Sequence, residues 1–212
     1  MMTEIKEDIG IVKIASYKRP YDLAILLLAL FLLLPIWILL ATVIPIAIWL
    51  GDRGPIFYRQ ERAGTNGQVF TVVKFRTMIP TAHLVGPAWT EDRDPRITTV
   101  GRILRRTALD ELPELLSIWK GDMSFVGPRA LDVNEHLELE EKIKGFAARL
   151  KARPGLTGMA QVYDRKDDAT NKLAYDVKYI ENMSPILDTK LMILSVFNTI
   201  GARWDQREGK NL

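Results

Sequence analysis

Two carboxylates, Asp110 and Glu111, stand side by side in "RRTALDELPELLSIWKGD", one turn after Arg105 and Arg106 and just ahead of Pro113. An acid at a helix start gains about 0.3–1 kcal/mol from the helix dipole with no chemistry attached, and Thr107 to Asp110 fits a loose capping box. The same dipole, with arginines near, also holds an aspartate ionised, the state that a carboxylate nucleophile or metal ligand requires. Spacing alone leaves both readings open. Lys74 and Arg76 alternate around Phe75 in "KFRTM". On a strand end that alternation puts two long cations on one face and the ring on the other. The chain has no cysteine and two histidines, His83 and His136, far apart in sequence. A disulfide framework and a thiolate nucleophile are excluded, and no zinc-ligand spacing is present. A net charge of +3 is modest; it leaves room for local basic patches facing an anionic partner.

The elements that must position these groups are legible in outline. From Thr99 the periodicity is helical, with Val100, Ile103 and Leu104 on one face and Arg102, Arg105 and Arg106 on another. A second helix is expected from Leu112-Pro113, where a proline suits the first turn, with Leu112, Leu115, Leu116 and Trp119 facing the core. Asp110 and Glu111 then lie at or just before its start. "PIFYRQERAGTNGQVFTVVKF" reads as two strands turning at Asn66-Gly67, and residues 81–95 as a loop punctuated by Gly and Pro. Residues 132–151 read as a charged helix with Leu137, Ile143, Phe146 and Leu150 inward. The stretch from Leu187 to Ile200 is apolar on more than one side, which suits burial or a membrane interface.

Leu23 to Leu50 carries no charge over 28 residues. As a straight helix it would run about 42 Å against a hydrocarbon core of about 30 Å, and it is too long for the apolar region of a signal peptide. Pro35 falls in its middle and Pro45 near its end. A bend at Pro35 leaves two arms, each too short to span. Lys13, Lys18 and Arg19 precede the segment, while Arg53, Arg59 and Arg62 follow it. A single crossing normally shows a charge asymmetry, so this near-symmetry favours a re-entrant hairpin with both ends cytoplasmic. A tilted, kinked span is the alternative.

Three longer stretches follow in order: "FYRQERAGTNGQVFTVVKFRTM", "DPRITTVGRILRRTALDELPELLSIWKGDMSFVGPR" and "RPGLTGMAQV". They lie downstream of "KRPYDL" and the proline-bearing apolar segment. Together they resemble the bacterial sugar transferase family, the small monotopic phosphoglycosyl transferases that act on polyprenol phosphate. The resemblance runs from about Lys18 to about Thr199. It implies an α+β protein: an amino-terminal arm and re-entrant membrane segment over residues 1–50, then a cytosolic, membrane-associated α/β catalytic domain over residues 51–212 with interfacial helices. It implies the cytoplasmic face of the bacterial inner membrane.

The implied reaction moves a phosphosugar from a UDP-sugar to polyprenol phosphate, in most bacteria undecaprenyl phosphate, and releases UMP. In the family's Asp-Glu dyad Asp110 is the nucleophile, forming an aspartyl-phosphosugar, and Glu111 assists by proton transfer or through Mg²⁺ bound by the pair. Arg105 and Arg129 of "VGPR" match family positions near the phosphates, Lys74 and Arg76 match the family's "KFRTM", and Arg165 keeps its basic position. Asp188 matches a family position near the site, with an N-cap for the last helix as the alternative. Two departures stand out. Ala108 replaces the usual serine before the dyad, and Tyr163-Asp164 replaces the usual Asn-Gly before Arg165, which bears on sugar or nucleotide preference. A non-catalytic membrane scaffold would explain the apolar segment and a folded domain, but not an acid pair among cations. No helix-turn-helix or base-stacking pattern accompanies the basic face, so nucleic acid is not an expected partner.

Overall fold

The computed structural model describes residues 15–85, 94–164 and 168–200. Two helices open it, α1 (Lys18–Leu32) and α2 (Leu34–Asp52). The break falls at Leu33, whose φ of −110° and ψ of 19° leave the helical region. Pro35 is the second residue of α2, where a missing amide costs least. The turn remains stitched: the Leu33 amide donates to the Ala29 carbonyl, the Trp37 amide to Leu33, and the Trp37 indole to Ala29 at 3.0 Å. Pro45 lies inside α2 without ending it. By length and composition α2 is apolar enough to cross a membrane, with a mean hydropathy of 2.2.

Strands β1 (Phe57–Ala63) and β2 (Val69–Phe75) pair antiparallel, Phe57 opposite Phe75 and Ala63 opposite Val69. The hairpin forms where the sequence puts it, but its loop is wider than two residues. Gly64 to Gln68 closes on a 3-10 turn in which Asn66 and Gly67 both take positive φ. Helix α3 (Thr99–Thr107) starts on a Thr98 cap, the hydroxyl accepting from the Gly101 amide. A 3-10 turn over Leu109–Glu114 leads directly into α4 (Leu115–Lys120), which ends at Gly121 with φ +97°. Strands β3 (Ser124–Val126) and β4 (Gly155–Thr157) make a second, parallel pair. The expected long helix over 132–151 is two pieces: α5 (Val133–Lys142) and a 3-10 turn over Phe146–Lys151, separated by extended Ile143 and by Gly145 at φ +78°. Helices α6 (Met159–Tyr163), α7 (Ala169–Asn182) and α8 (Pro185–Ile200) complete the described chain. This is a mixed helix and sheet fold, as the α+β expectation has it.

The apolar helices are built into the cores. Ile44 and Ile48 of α2 bury with Phe75 and Leu104, and Leu109 and Leu112 pack against that cluster. Leu26 of α1 buries with Ile118 and Met123, with Leu115 alongside. The inward stripe of the central segment is therefore Leu109, Leu112, Leu115 and Ile118, a spacing of three, the repeat of a 3-10 helix. Leu116 and Trp119, expected inside on an α-helical period, are exposed at 59% and 52% because the preceding 3-10 turn shifts the phase. Ile103 is likewise exposed, while Val100 and Leu104 of the same helix reach the core.

Polar contacts pin both far ends of the helix pair to the same body. At the start of α1 the buried Lys18 ammonium donates to Asp188 Oδ2 (2.9 Å), the Tyr179 hydroxyl (3.0 Å) and the Val126 carbonyl (2.7 Å). Asp22 accepts from the Ser124 hydroxyl and the Phe125 amide. Arg19 caps the last carbonyls of α4, Ile118 and Trp119. At the end of α2, Asp52 pairs with both terminal nitrogens of Arg76. The side chains of Lys18 and Asp188 are 2% and 0% exposed. Removing one partner of such a dry pair strands a charge and costs about 3–5 kcal/mol. Lys18→Met should therefore lower unfolding stability in detergent by about that much, read from denaturant midpoints, and Lys18→Met/Asp188→Leu should recover part of it. A single variant with the wild-type midpoint would show that the pair contributes nothing.

Candidate active site

The site forms where the 3-10 turn crosses the end of β2. Leu109 and Leu112 face the apolar cluster, so Asp110 and Glu111 between them face away from it, toward the strand. Lys74 near the end of β2 donates to Glu111 Oε1 at 2.7 Å. Arg129, in the loop after β3, reaches the same oxygen at 3.2 Å. Lys74 also lies 3.0 Å from Glu114 Oε1. Arg105 of α3 donates from Nε to the Thr77 hydroxyl at 2.9 Å and acts electrostatically on Asp110. The structure thus brings Lys74, Arg105, Asp110, Glu111 and Arg129 into one site.

Helix α3 sits against Thr77 because residue 101 is glycine. A Cβ there would fall 2.0 Å from the Thr77 carbonyl oxygen, and that oxygen also accepts from the Thr98 amide. This close approach sets Arg105 beside Thr77. Glycine does the same for the Arg129 loop, where a Cβ on Gly127 would meet the Arg153 carbonyl oxygen at 2.1 Å. Arg149, paired with Asp176 at 2.9 Å, donates to the Arg129 carbonyl and holds that loop from behind.

The two acids of the pair have opposite electrostatics. Burial pushes the Asp110 carboxyl up, its neighbour Glu111 adds to the rise, and Lys74 and Arg105 oppose it. Burial also acts upward on Glu111, but Arg129 and Lys74 outweigh it and hold that carboxyl well below the usual range. Among the described residues Asp110 accepts no side-chain hydrogen bond. The capping box does not form: Thr107 turns its hydroxyl back to the Ile103 and Leu104 carbonyls, and the residue capping the turn is Ala108. Ala108 itself is left-handed, at φ 55°.

Three further expectations resolve differently. Arg76 does not share the site with Lys74; it is buried against Asp52 at the end of α2, and Phe75 between them joins the apolar cluster. Asp188 is fully buried with Lys18, Tyr17 and Tyr179, and the Ser184 hydroxyl, not Asp188, meets the first turn of α8. No contact joins it to the acid pair among the described residues. Arg165 lies outside the described residues. Of the residues before it, Tyr163 is 40% exposed with its ring against Tyr175, and Asp164 is buried and accepts from Asn171.

Sequence reasoning missed Glu114, which is 5% exposed, and Arg62, whose half-buried guanidinium donates to the Ala130 carbonyl and Gln60 and feels Arg129, Glu114 and Glu111. The signal for Glu114 was its place three residues after Glu111, on the same face of a 3-10 turn. As to a divalent ion, no group of three or more His, Cys, Asp or Glu is placed to hold one by protein atoms alone among the described residues. Asp110 and the free oxygen of Glu111 are hard donors of the kind Mg²⁺ takes alongside substrate phosphates, so the pair fits that ion.

A half-buried acid pair set among cations is a candidate site for an anionic substrate, and apolar helices back it. A family model described as bacterial sugar transferase matches residues 13–202. The chain is 40% identical over 201 residues to the exopolysaccharide production protein ExoY of Sinorhizobium fredii, covering 87% of this chain and 84% of that one. It is 35% identical over 186 residues to the UDP-glucose:undecaprenyl-phosphate glucose-1-phosphate transferase of Escherichia coli, covering 85% of this chain and 39% of the relative. It is 35% identical over 190 residues to a UDP-N-acetylgalactosamine-undecaprenyl-phosphate N-acetylgalactosaminephosphotransferase of Aeromonas hydrophila, covering 88% of this chain and 43% of the relative. The chain belongs to the bacterial sugar transferase family and is an enzyme of the phosphoglycosyl transferase class.

The left-handed Ala108 gives a stability test at the site. An alanine in that region costs about 1–2 kcal/mol relative to its ordinary conformation, of which glycine returns about half after its own unfolded-state entropy. Ala108→Gly should raise the thermal midpoint by a few degrees. A lowered midpoint would mean that the methyl group packs against something the backbone conformation does not reveal.

Proposed function

We propose that the chain transfers a phosphosugar from a UDP-sugar to polyprenol phosphate, with undecaprenyl phosphate the acceptor, in two steps through Asp110. The observation that supports this reading most is the asymmetry of the pair. Glu111 is tied to two cations, while Asp110 is desolvated, without a side-chain hydrogen bond among the described residues, and flanked by cations that do not neutralise it. The names of the Escherichia coli and Aeromonas hydrophila relatives supply the substrate classes. They differ in the sugar, so glucose and N-acetylgalactosamine donors are the first to screen.

In the first step an Asp110 oxygen bonds to the β-phosphorus, the bond from that phosphorus to the bridging oxygen breaks, and UMP leaves with the electron pair. In the second, a phosphate oxygen of the polyprenol phosphate attacks the same phosphorus and Asp110 departs as a carboxylate. Arg129 is 46% exposed at its side chain and has the reach to follow a phosphate, while Arg105 stays fixed by Thr77. Asp110 and Glu111 would hold Mg²⁺ together with the diphosphate, and the ion would offset charge there.

The membrane arrangement that fits is a re-entrant pair on the cytoplasmic face of the inner membrane. Lys18 and Asp52, at the two far ends, both pair with residues of the same folded body, so a crossing would have to carry that body with it. Large exposed apolar side chains fall on α1 and α2 around the break, and on Leu116, Trp119, Ile193, Val196 and Phe197. Arg53 lies over the Trp49 ring at 4.2 Å, an aromatic and cation pairing suited to a headgroup layer.

Two outcomes are expected. Wild-type protein with labelled UDP-sugar and Mg²⁺, without polyprenol phosphate, should gain the mass of one phosphosugar and lose it to hydroxylamine. Asp110→Asn should gain none and lose turnover by several orders of magnitude at an unchanged melting point, and a chelator should stop UMP release in the wild type. An adduct that forms equally on Asp110→Asn would remove Asp110 from the nucleophile's role. Separately, since the chain has no native cysteine, Thr3→Cys and Gly209→Cys can be labelled one at a time in intact cells. Both should resist an impermeant thiol reagent; labelling of Thr3→Cys alone would establish a single span.

A further inference from the structure

The reaction above gives Glu114 no part, yet this carboxylate is 5% exposed and shares the site's lysine. Lys74 Nζ lies 2.7 Å from Glu111 Oε1 and 3.0 Å from Glu114 Oε1, while the Asp110 carboxylate acts on the same ammonium only through space. A lysine ammonium is a point charge on a flexible four-carbon stem, and within a half-dry site it settles where the negative potential is deepest. Glu111 alone would have to compete for it with a desolvated Asp110, and Arg129 already neutralises part of the Glu111 charge at 3.2 Å. Glu114 adds a second carboxylate 3.0 Å from the same ammonium. We propose that Glu114 is a positioning residue that holds Lys74 against Glu111 and thereby keeps Lys74 from pairing with the Asp110 carboxylate. An attacking oxygen tied up by the ammonium donates its electrons to phosphorus less readily, whereas an ion shared with the diphosphate would bring the two together, so the effect belongs to the rate of adduct formation and not to donor binding. The inference rests on Asp110 being the nucleophile.

Two substitutions separate this role from packing. Glu114→Gln keeps shape and one acceptor but loses the charge, whereas Glu114→Asp keeps the charge on a shorter arm. Single-turnover formation of the phosphosugar adduct should slow about 10–100-fold in Glu114→Gln, with KM for the UDP-sugar changed by less than about threefold, and Glu114→Asp should recover part of the rate. With Lys74→Gln there is no ammonium to hold, so adding Glu114→Gln should slow the reaction by less than about twofold further. Melting points of all variants establish that they are folded. A Glu114→Gln enzyme with the wild-type rate, or one that loses the same factor with and without Lys74, would overturn the inference and leave the proposed reaction standing. A wild-type protein that forms no adduct on Asp110 would instead remove the reading on which it depends.

Discussion

The site depends on one constraint, the packing of Leu109 and Leu112 against the apolar cluster of Ile44, Ile48, Phe75 and Leu104. Four residues on a 3-10 turn cannot all point the same way. Once the two leucines are seated against that cluster, the acids between them are committed to the opposite side, where β2 delivers Lys74. The hydrophobic contact is non-directional and, for two partly buried leucines, worth less than the about 1.5–3 kcal/mol each of full burial, but its effect on the acids is geometric. Everything else at the site adjusts to that seating. Gly101 lets α3 lie flat on Thr77 so that Arg105 arrives from one side, and the glycine-lined loop after β3 brings Arg129 from the other.

Three acids and their cations then divide the work electrostatically. Glu111 is held ionised by two direct partners, whereas burial and a like-charged neighbour make ionisation of Asp110 costly. Glu114 is pushed up by burial and by Glu111, with Lys74 pulling against both. Adjacent groups whose environments drive their protonation apart are the mark of acids with different tasks. Arg62 behind them limits how much negative charge the cluster must bear unaided.

Local signals in the sequence were dependable where local physics decides. Asn66-Gly67 marks the hairpin, and the helical periodicity from Thr99 marks α3. Pro113, expected in the first turn of a helix, lies instead late in the 3-10 turn over Leu109–Glu114, and Gly145 interrupts the charged stretch, a break that the helical reading of residues 132–151 passed over. The paired acids, Lys74, Arg105 and Arg129 were legible as a group and meet in space. What could not be read was phase and long-range pairing. Leu116 and Trp119 fall inside on a 3.6-residue period and outside on a period of three, and nothing local distinguishes these before the turn type is known. The pairing of Asp52 with Arg76, and of Lys18 with Asp188, joins residues 24 and 170 positions apart. Such contacts are chosen by the assembled fold, so Arg76 and Asp188, plausible phosphate-site residues on motif grounds, are engaged elsewhere.

The membership of α1 and α2 in two apolar clusters has a consequence for how the protein is made. Leu26, Ile44 and Ile48 leave the ribosome well before Phe75, Leu104, Ile118 and Met123, the side chains that close over them. During that interval the helix pair lacks those partners, and in the membrane arrangement proposed above the lipid would host it. Delivery to the bilayer would then come first, and the later elements would condense on a template already resting there. The acid pair, which takes its orientation from that template, would be aligned only after the nascent chain has reached the surface that holds the proposed lipid acceptor, so targeting and maturation of the site would be one event.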